Sequence, residues 1–144
     1  MEKPKVVRKK DIPLSPILFG GKEGDAGQWS MFDKELKGLI FGTAEINPGF
    51  AAHRWHEHII DKVPEAGFQI NYHRDFEELY YIINGEGTLQ WEGEGGKVEE
   101  TEVGPGDILF FPRRLGKHQL LNTGKEKMFM IWGGGPPAQI VPIT

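Results

Sequence analysis

From Lys37 onward the chain is a succession of short apolar and β-branched segments, each closed within a few residues by Gly, Pro, Asn or Asp. GLIFGTAEI, FAAHRWHEH, ELYYII, TLQW, KVEETEV, ILFFP, HQLLN and MFMIW alternate with NPG, NGEG, EGEGG, GPGD and TGKE. That pattern predicts at least seven short strands joined by tight turns, as in an all-β antiparallel sandwich or barrel of the jelly-roll kind. The 20 glycines and 10 prolines fit such a turn-rich chain. No ten-residue stretch carries a sustained amphipathic helix period, although SMFDKELKGL at 30–39 has room for a turn or two. Asn84-Gly85 tolerates the positive φ angles of a tight turn and predicts a hairpin between ELYYII and TLQW. The apolar run ILFFP after Gly104-Pro105-Gly106-Asp107 predicts a buried strand.

The first 35 residues read differently. Pro4, Pro13, Pro16 and GGKEGDAG interrupt them, so they form an extended N-terminal arm at 1–35 that belongs to the same fold as the barrel at 36–144. A chain of 144 residues holds one domain with a real core. With 21 acidic against 17 basic side chains the formal charge is −4, which gives no whole-molecule attraction for nucleic acid. Lys3, Lys5, Arg8, Lys9 and Lys10 read as a solvated tail or edge strand. Neither an apolar leader core nor a run of roughly 18 apolar residues is present, so membrane partners are not expected and the protein reads as cytoplasmic. Zero cysteines exclude disulfides, a thiolate nucleophile and thiolate metal ligands, so any metal must use His and carboxylate.

Three of the five histidines fall within six residues, in HRWHEH. On a strand, residues i and i+2 share a face, so His56 and His58 would project together into the barrel with Glu57 outward. His53 has the opposite parity and reads as a surface residue or one behind the pair. Arg54 shares the inward parity, nearer the rim.

In these segments the sequence resembles the cupins. The first cupin motif resembles G-x5-HxH-x3-4-E-x6-G, matched here by Gly49, His56, His58, Glu78 and Gly85. The second resembles G-x5-P-x-G-x2-H-x3-N, matched by Gly106, Pro112, His118 and Asn122. The match spans roughly residues 40–132. The resemblance implies a double-stranded β-helix, or jelly-roll barrel, holding one divalent metal ion on His56, His58, Glu78 and His118. Two of the spacings carry one extra residue, and Arg114 replaces the second motif's glycine, for which Gly116 can serve. A larger departure is the 19 residues between His58 and Glu78, IIDKVPEAGFQINYHRDFE, where cupins have three or four. This inserted stretch would lie beside the metal. In a rival register without the insertion, INYHRDFEELYYIINGEG forms the first motif, with His73 as ligand and Asn71 in the first histidine's place. Glu78 and His118 belong to both registers.

Three imidazoles and one carboxylate suit Fe(II), Mn(II), Ni(II), Co(II) or Zn(II). In an octahedral shell they leave two positions for substrate, water or dioxygen. Arg54, Arg113, Arg114 and Lys117 bring positive charge to one barrel mouth, which favours a small anionic substrate; Arg54 and Arg114 can grip a carboxylate with paired hydrogen bonds. Tyr80 shares the parity of Glu78 and is, with Arg54, a candidate catalytic group. Gln119 is a candidate for substrate contact or core packing. Phe111, Trp55, Trp91 and Trp132 read as core. The resulting expectation is a metal-dependent cupin enzyme acting on a small carboxylated or oxygenated molecule, of dioxygenase, isomerase, lyase or decarboxylase type. A non-catalytic binding or sensing module is the alternative. The family resemblance further implies a homodimer, paired through edge strands with the arm taking part.

Overall fold

The protein is described by a computed structural model, which covers residues 3–4, 6–12, 26–31 and 37–143. Residues 13–25 of the expected arm, and residues 32–36 of the SMFDKELKGL stretch, lie outside the described residues. Eleven strands follow one another: β1 Ala26–Met31, β2 Ile40–Ile46, β3 Ile60–Val63, β4 Phe68–Asn71, β5 Glu77–Asn84, β6 Gly87–Glu92, β7 Val98–Val103, β8 Ile108–Phe111, β9 His118–Asn122, β10 Met128–Gly135 and β11 Gln139–Pro142. Among the described residues the only helical segments are three short 3-10 turns. No helix of the described residues is long and apolar enough to cross a membrane.

All strand pairs are antiparallel, in three sheets ordered β1-β2-β10-β5-β8, β7-β6-β9 and β11-β4-β3. The chain passes repeatedly between the first two sheets, from β5 to β6, from β7 to β8 and from β9 to β10, which makes a jelly roll. Ala26–Met31, from the expected arm, adds itself to β2 as an edge strand.

Alternation positions the core. Ile40, Ala44 and Ile46 of β2, Tyr80 and Ile82 of β5, Leu109 and Phe111 of β8, Leu120 of β9, and Met128, Met130 and Trp132 of β10 point inward and are buried together. Asn122 is also buried. Its Nδ2 donates to the carbonyls of Ile46 and Glu126, both at 2.8 Å, and its Oδ1 accepts from Gly124 N at 3.0 Å. It thus ties the β9–β10 turn to β2.

Three sequence expectations are corrected. Asn84-Gly85 does not close a hairpin, because β5 and β6 lie in different sheets; Gly85 (φ +93°) turns the corner between them. ILFFP is not buried throughout either: Leu109 and Phe111 are inside, whereas Ile108 and Phe110 are 66% and 60% exposed on the outer face. Nor is every tryptophan core. Trp132 is buried, but Trp55 and Trp91 are half-buried, and Trp91 donates from Nε1 to Glu99 at 3.0 Å.

Candidate metal centre

β5 and β9 deliver two of the expected ligands by simple alternation. Glu78 faces inward with Tyr80 and Ile82, and His118 faces inward with Leu120 and Asn122. The HRWHEH segment arrives otherwise. It is not a continuous strand; bends interrupt it, and it meets β9 through isolated bridges at Ala51–Leu121 and His56–His118. His56 and His118 exchange backbone hydrogen bonds at 3.2 and 2.9 Å, and His58 N donates to Leu115 O at 2.9 Å. These contacts place all three rings in one buried cluster, with centroids 4.4 Å apart for His56–His118 and for His58–His118 and 5.1 Å for His56–His58. Because the alternation breaks at the bends, His53 does not face away from the pair. It is buried and lies flat on His56, at 3.5 Å and 13°.

The tautomers follow from the carbonyls. His56 Nδ1 donates to Arg54 O and His118 Nδ1 donates to Gly116 O, each at 2.7 Å, which leaves a lone pair on each Nε2. His56 Nε2 and His58 Nε2 stand 3.2 Å apart, and His58 Nε2 is 3.6 Å from Glu78 Oε1. One nitrogen from each of the three histidines lies within 4.8 Å of the others. His118 Nε2 is buried and has no hydrogen-bond partner among the described residues. Three imidazole nitrogens gathered this closely, one of them a buried acceptor without a partner, are what a cation would satisfy.

Burial holds these groups uncharged. It is the main cause that brings His58 down to about 2 and His118 to about 4, and with the neighbouring histidines it sets His56 well below the usual imidazole range. The Glu78 carboxyl is pushed up to about 8 by burial, against a hydrogen bond from Tyr80. Burial and the adjacent Glu78 raise the Tyr80 phenol, so it stays a donor at neutral pH.

The remaining expected site residues are scattered. Arg54 is half-buried, and its guanidinium binds Asp61 Oδ1 at 2.7 Å and the Lys62 carbonyl. Arg114 is exposed in the loop before β9, and Arg113 pairs with Asp75 at 3.3 Å. Gln119 stands on the face of β9 opposite His118, where its Nε2 donates to Gln90 at 2.9 Å. His73 is exposed and accepts from Asp75 N at 3.1 Å, and Asn71 accepts from Gln69 at 2.6 Å, so neither residue of the rival register enters the cluster. The inserted stretch folds as the β3–β4 hairpin and continues across the site. Tyr72 and Phe76 pack on His58 at 4.8 and 5.2 Å. Sequence reasoning singled out that stretch, but not these two aromatics or Asp61 within it.

The sequence matches the family model of the Cupin domain over residues 59–134. The chain belongs to the cupin family. This cupin is 29% identical over 59 residues, 41% of its length, to the acireductone dioxygenase of Bacillus cereus, of which the match covers 35%, about a third of that relative. Among solved structures it resembles the polyketide cyclase RemF of Streptomyces resistomycificus, at TM-score 0.63 and 18% identity over 99% of this chain and 88% of that one. A predicted oxalate decarboxylase of Thermotoga maritima aligns at TM-score 0.57 and 23% identity, over 90% and 97%. At these identities the solved structures show the shared fold.

Proposed function

We propose that this cupin is a metal-dependent enzyme in which His56, His58, Glu78 and His118 hold one divalent transition metal ion, and that it acts on a small oxygenated organic molecule. The observation that carries the proposal is the convergence of three buried imidazoles whose outer nitrogens, for His56 and His118, are fixed by backbone carbonyls. A bound Fe(II), Mn(II), Ni(II), Co(II) or Zn(II) would supply Lewis acidity there, and iron would also supply dioxygen chemistry.

The chain's own groups supply the rest. Tyr80 donates toward Glu78 from inside the barrel, while Tyr72, Phe76 and Phe111 wall the cluster with aromatic surface that excludes water. Arg54 is held by Asp61, and Arg113 by Asp75. The metal, rather than Arg54 or Arg113, would therefore be the positive charge that meets an anionic oxygen inside the barrel. A substrate that chelates through two oxygens, such as an enediol or a 2-oxo acid, fits this arrangement. Relatives named as a dioxygenase and as a predicted decarboxylase are consistent with such ligands. We further propose a homodimer, joined through the apolar outer face of the five-stranded sheet rather than through the edge strands expected from the sequence; the exposed Phe41, Leu79, Tyr81, Ile108 and Phe110 support it.

Metal analysis of the purified chain tests the assignment. His56→Ala should lose the bound ion and His73→Ala should keep it; full occupancy after losing His56 would sink the ligand set. Dioxygen uptake with added Fe(II) against a panel of small enols and 2-oxo acids then separates oxygenase from redox-neutral chemistry. Binding without turnover under every metal would mark a binding module instead.

A further inference from the structure

His53, Arg54 and Asp61 form a second cluster beside the four candidate ligands. Asp61 lies on β3, within the inserted stretch, and its carboxylate is buried at 6% exposure. Its Oδ2 stands 3.0 Å from His53 Nε2, and its Oδ1 accepts from Arg54 at 2.7 Å. The same guanidinium also donates to the Lys62 carbonyl, so Arg54 is fastened to β3 at two points.

Each residue held by Asp61 in turn makes one of the contacts that orient His56. The His53 ring lies flat on the His56 ring, which sets the plane of the imidazole. The Arg54 carbonyl accepts a hydrogen bond from His56 Nδ1 at 2.7 Å, which sets its rotation and tautomer. Support of this kind is needed here. The segment carrying His56 is broken by bends and is tied to β9 and the loop before it by isolated bridges and single backbone hydrogen bonds rather than by a continuous ladder, so side-chain contacts add to what fixes the ring.

We infer that Asp61, acting through His53 and Arg54, is a positioning residue that aims His56 at the metal, and that the β3–β4 hairpin is the brace of the centre. The inference rests on the reading of His56 as a ligand. It gives Arg54 a role different from substrate capture, because its guanidinium is engaged by the Asp61 carboxylate and the Lys62 carbonyl. Partners that orient a ligating histidine typically change metal affinity by about 10- to 100-fold when removed.

Co(II) alone is a suitable probe, titrated into the full chain against a chelator and followed by its visible ligand-field bands. Asp61→Asn and Arg54→Met should each weaken Co(II) binding about 10- to 100-fold and shift those bands. The double variant should be no weaker than the worse single one, because both cut the same brace. Arg54→Lys, which keeps a cation against Asp61, should recover part of the affinity. Circular dichroism of the metal-free chains reports folding. If Asp61→Asn does not fold, Arg54→Met decides, since that side chain is partly exposed. His56→Ala separates the two readings. If it binds Co(II) as the parent chain does, the ligand assignment falls and the brace with it. If it loses the ion while Asp61→Asn or Arg54→Met stays within about twofold of the parent with unchanged bands, the brace is overturned and the ligand assignment stands.

Discussion

His58 and His118 resist protonation because the barrel wall offers no solvent to an imidazolium, and this makes the metal-free protein sensitive to acid. Both titrate near 6.5 when unfolded but at about 2 and about 4 when folded, so on acidification the unfolded chain binds protons first. Stability should therefore fall as pH drops below about 6.5, by about 1.4 kcal/mol per pH unit for each such histidine. Glu78 has the opposite sign. Its carboxyl ionises near 4.5 in the unfolded chain but at about 8 in the folded one, so the folded state holds the extra proton and stability falls as pH rises between those values. Below 6.5 the histidines outnumber the single glutamate; above it Glu78 acts alone. The chelator-treated protein should show its highest unfolding midpoint near pH 6.5 and decline on both sides, and a midpoint still rising through pH 8 would contradict the buried Glu78. Saturating Co(II) should remove the alkaline decline, because the cation keeps Glu78 ionised in the folded state.

Strand alternation was the most legible element of the chain. ELYYII puts Glu78 and Tyr80 on one face and Leu79 and Tyr81 on the other, and the structure follows that pattern residue by residue. Pairing was not legible, because Asn84-Gly85 announces a positive φ but not a partner, and here the strands on either side of it join different sheets. HRWHEH brings His56 and His58 together without being a strand, through backbone contacts to β9 and to Leu115 in the loop before it that no local pattern encodes. For the same reason the engagement of Arg54 by Asp61, seven positions away, could not be read from either residue alone. Where an element depends on one long-range tie, that tie is testable. Asn122→Ala removes three hydrogen bonds and strands the buried carbonyl of Ile46. It should cost about 2–3 kcal/mol, read as a lower urea midpoint with an unchanged m-value. Gly85→Ala should cost still more, because its Cβ would lie 2.7 Å from the Met128 backbone at a φ of +93°.

At the scale of the whole molecule, the outer face of the five-stranded sheet carries the exposed apolar surface that the proposed homodimer would cover. Phe110, Leu79, Gly133 and Phe41 fall in one cross-strand row, and Ile108, Tyr81 and Ile131 in the next. Leu79 and Ile83 are 47% and 50% exposed, alongside Ile108 and Phe110. Taking about 200 Å² for a fully exposed large side chain, the exposed apolar residues of β2, β5, β8 and β10 leave roughly 700 Å² uncovered. That exceeds the roughly 300–600 Å² patch of an ordinary monomer and approaches the roughly 800 Å² per partner of a standard interface. A second copy is the natural cover, since a two-fold contact presents each sheet with an equally apolar surface. Gly133 lacks a side chain in the middle of the row and leaves a groove of about 360 Å³ between Leu79 and Phe41, into which a partner's aromatic ring can enter. Sedimentation at micromolar concentration should give twice the 16.2 kDa chain mass. Phe110→Lys and Leu79→Lys, both on the outer face and away from the cluster, should give monomers that still bind metal. A parent chain that sediments as a monomer, as it would if residues of its own N-terminal arm covered the face, or lysine variants that remain dimeric, would rule this interface out.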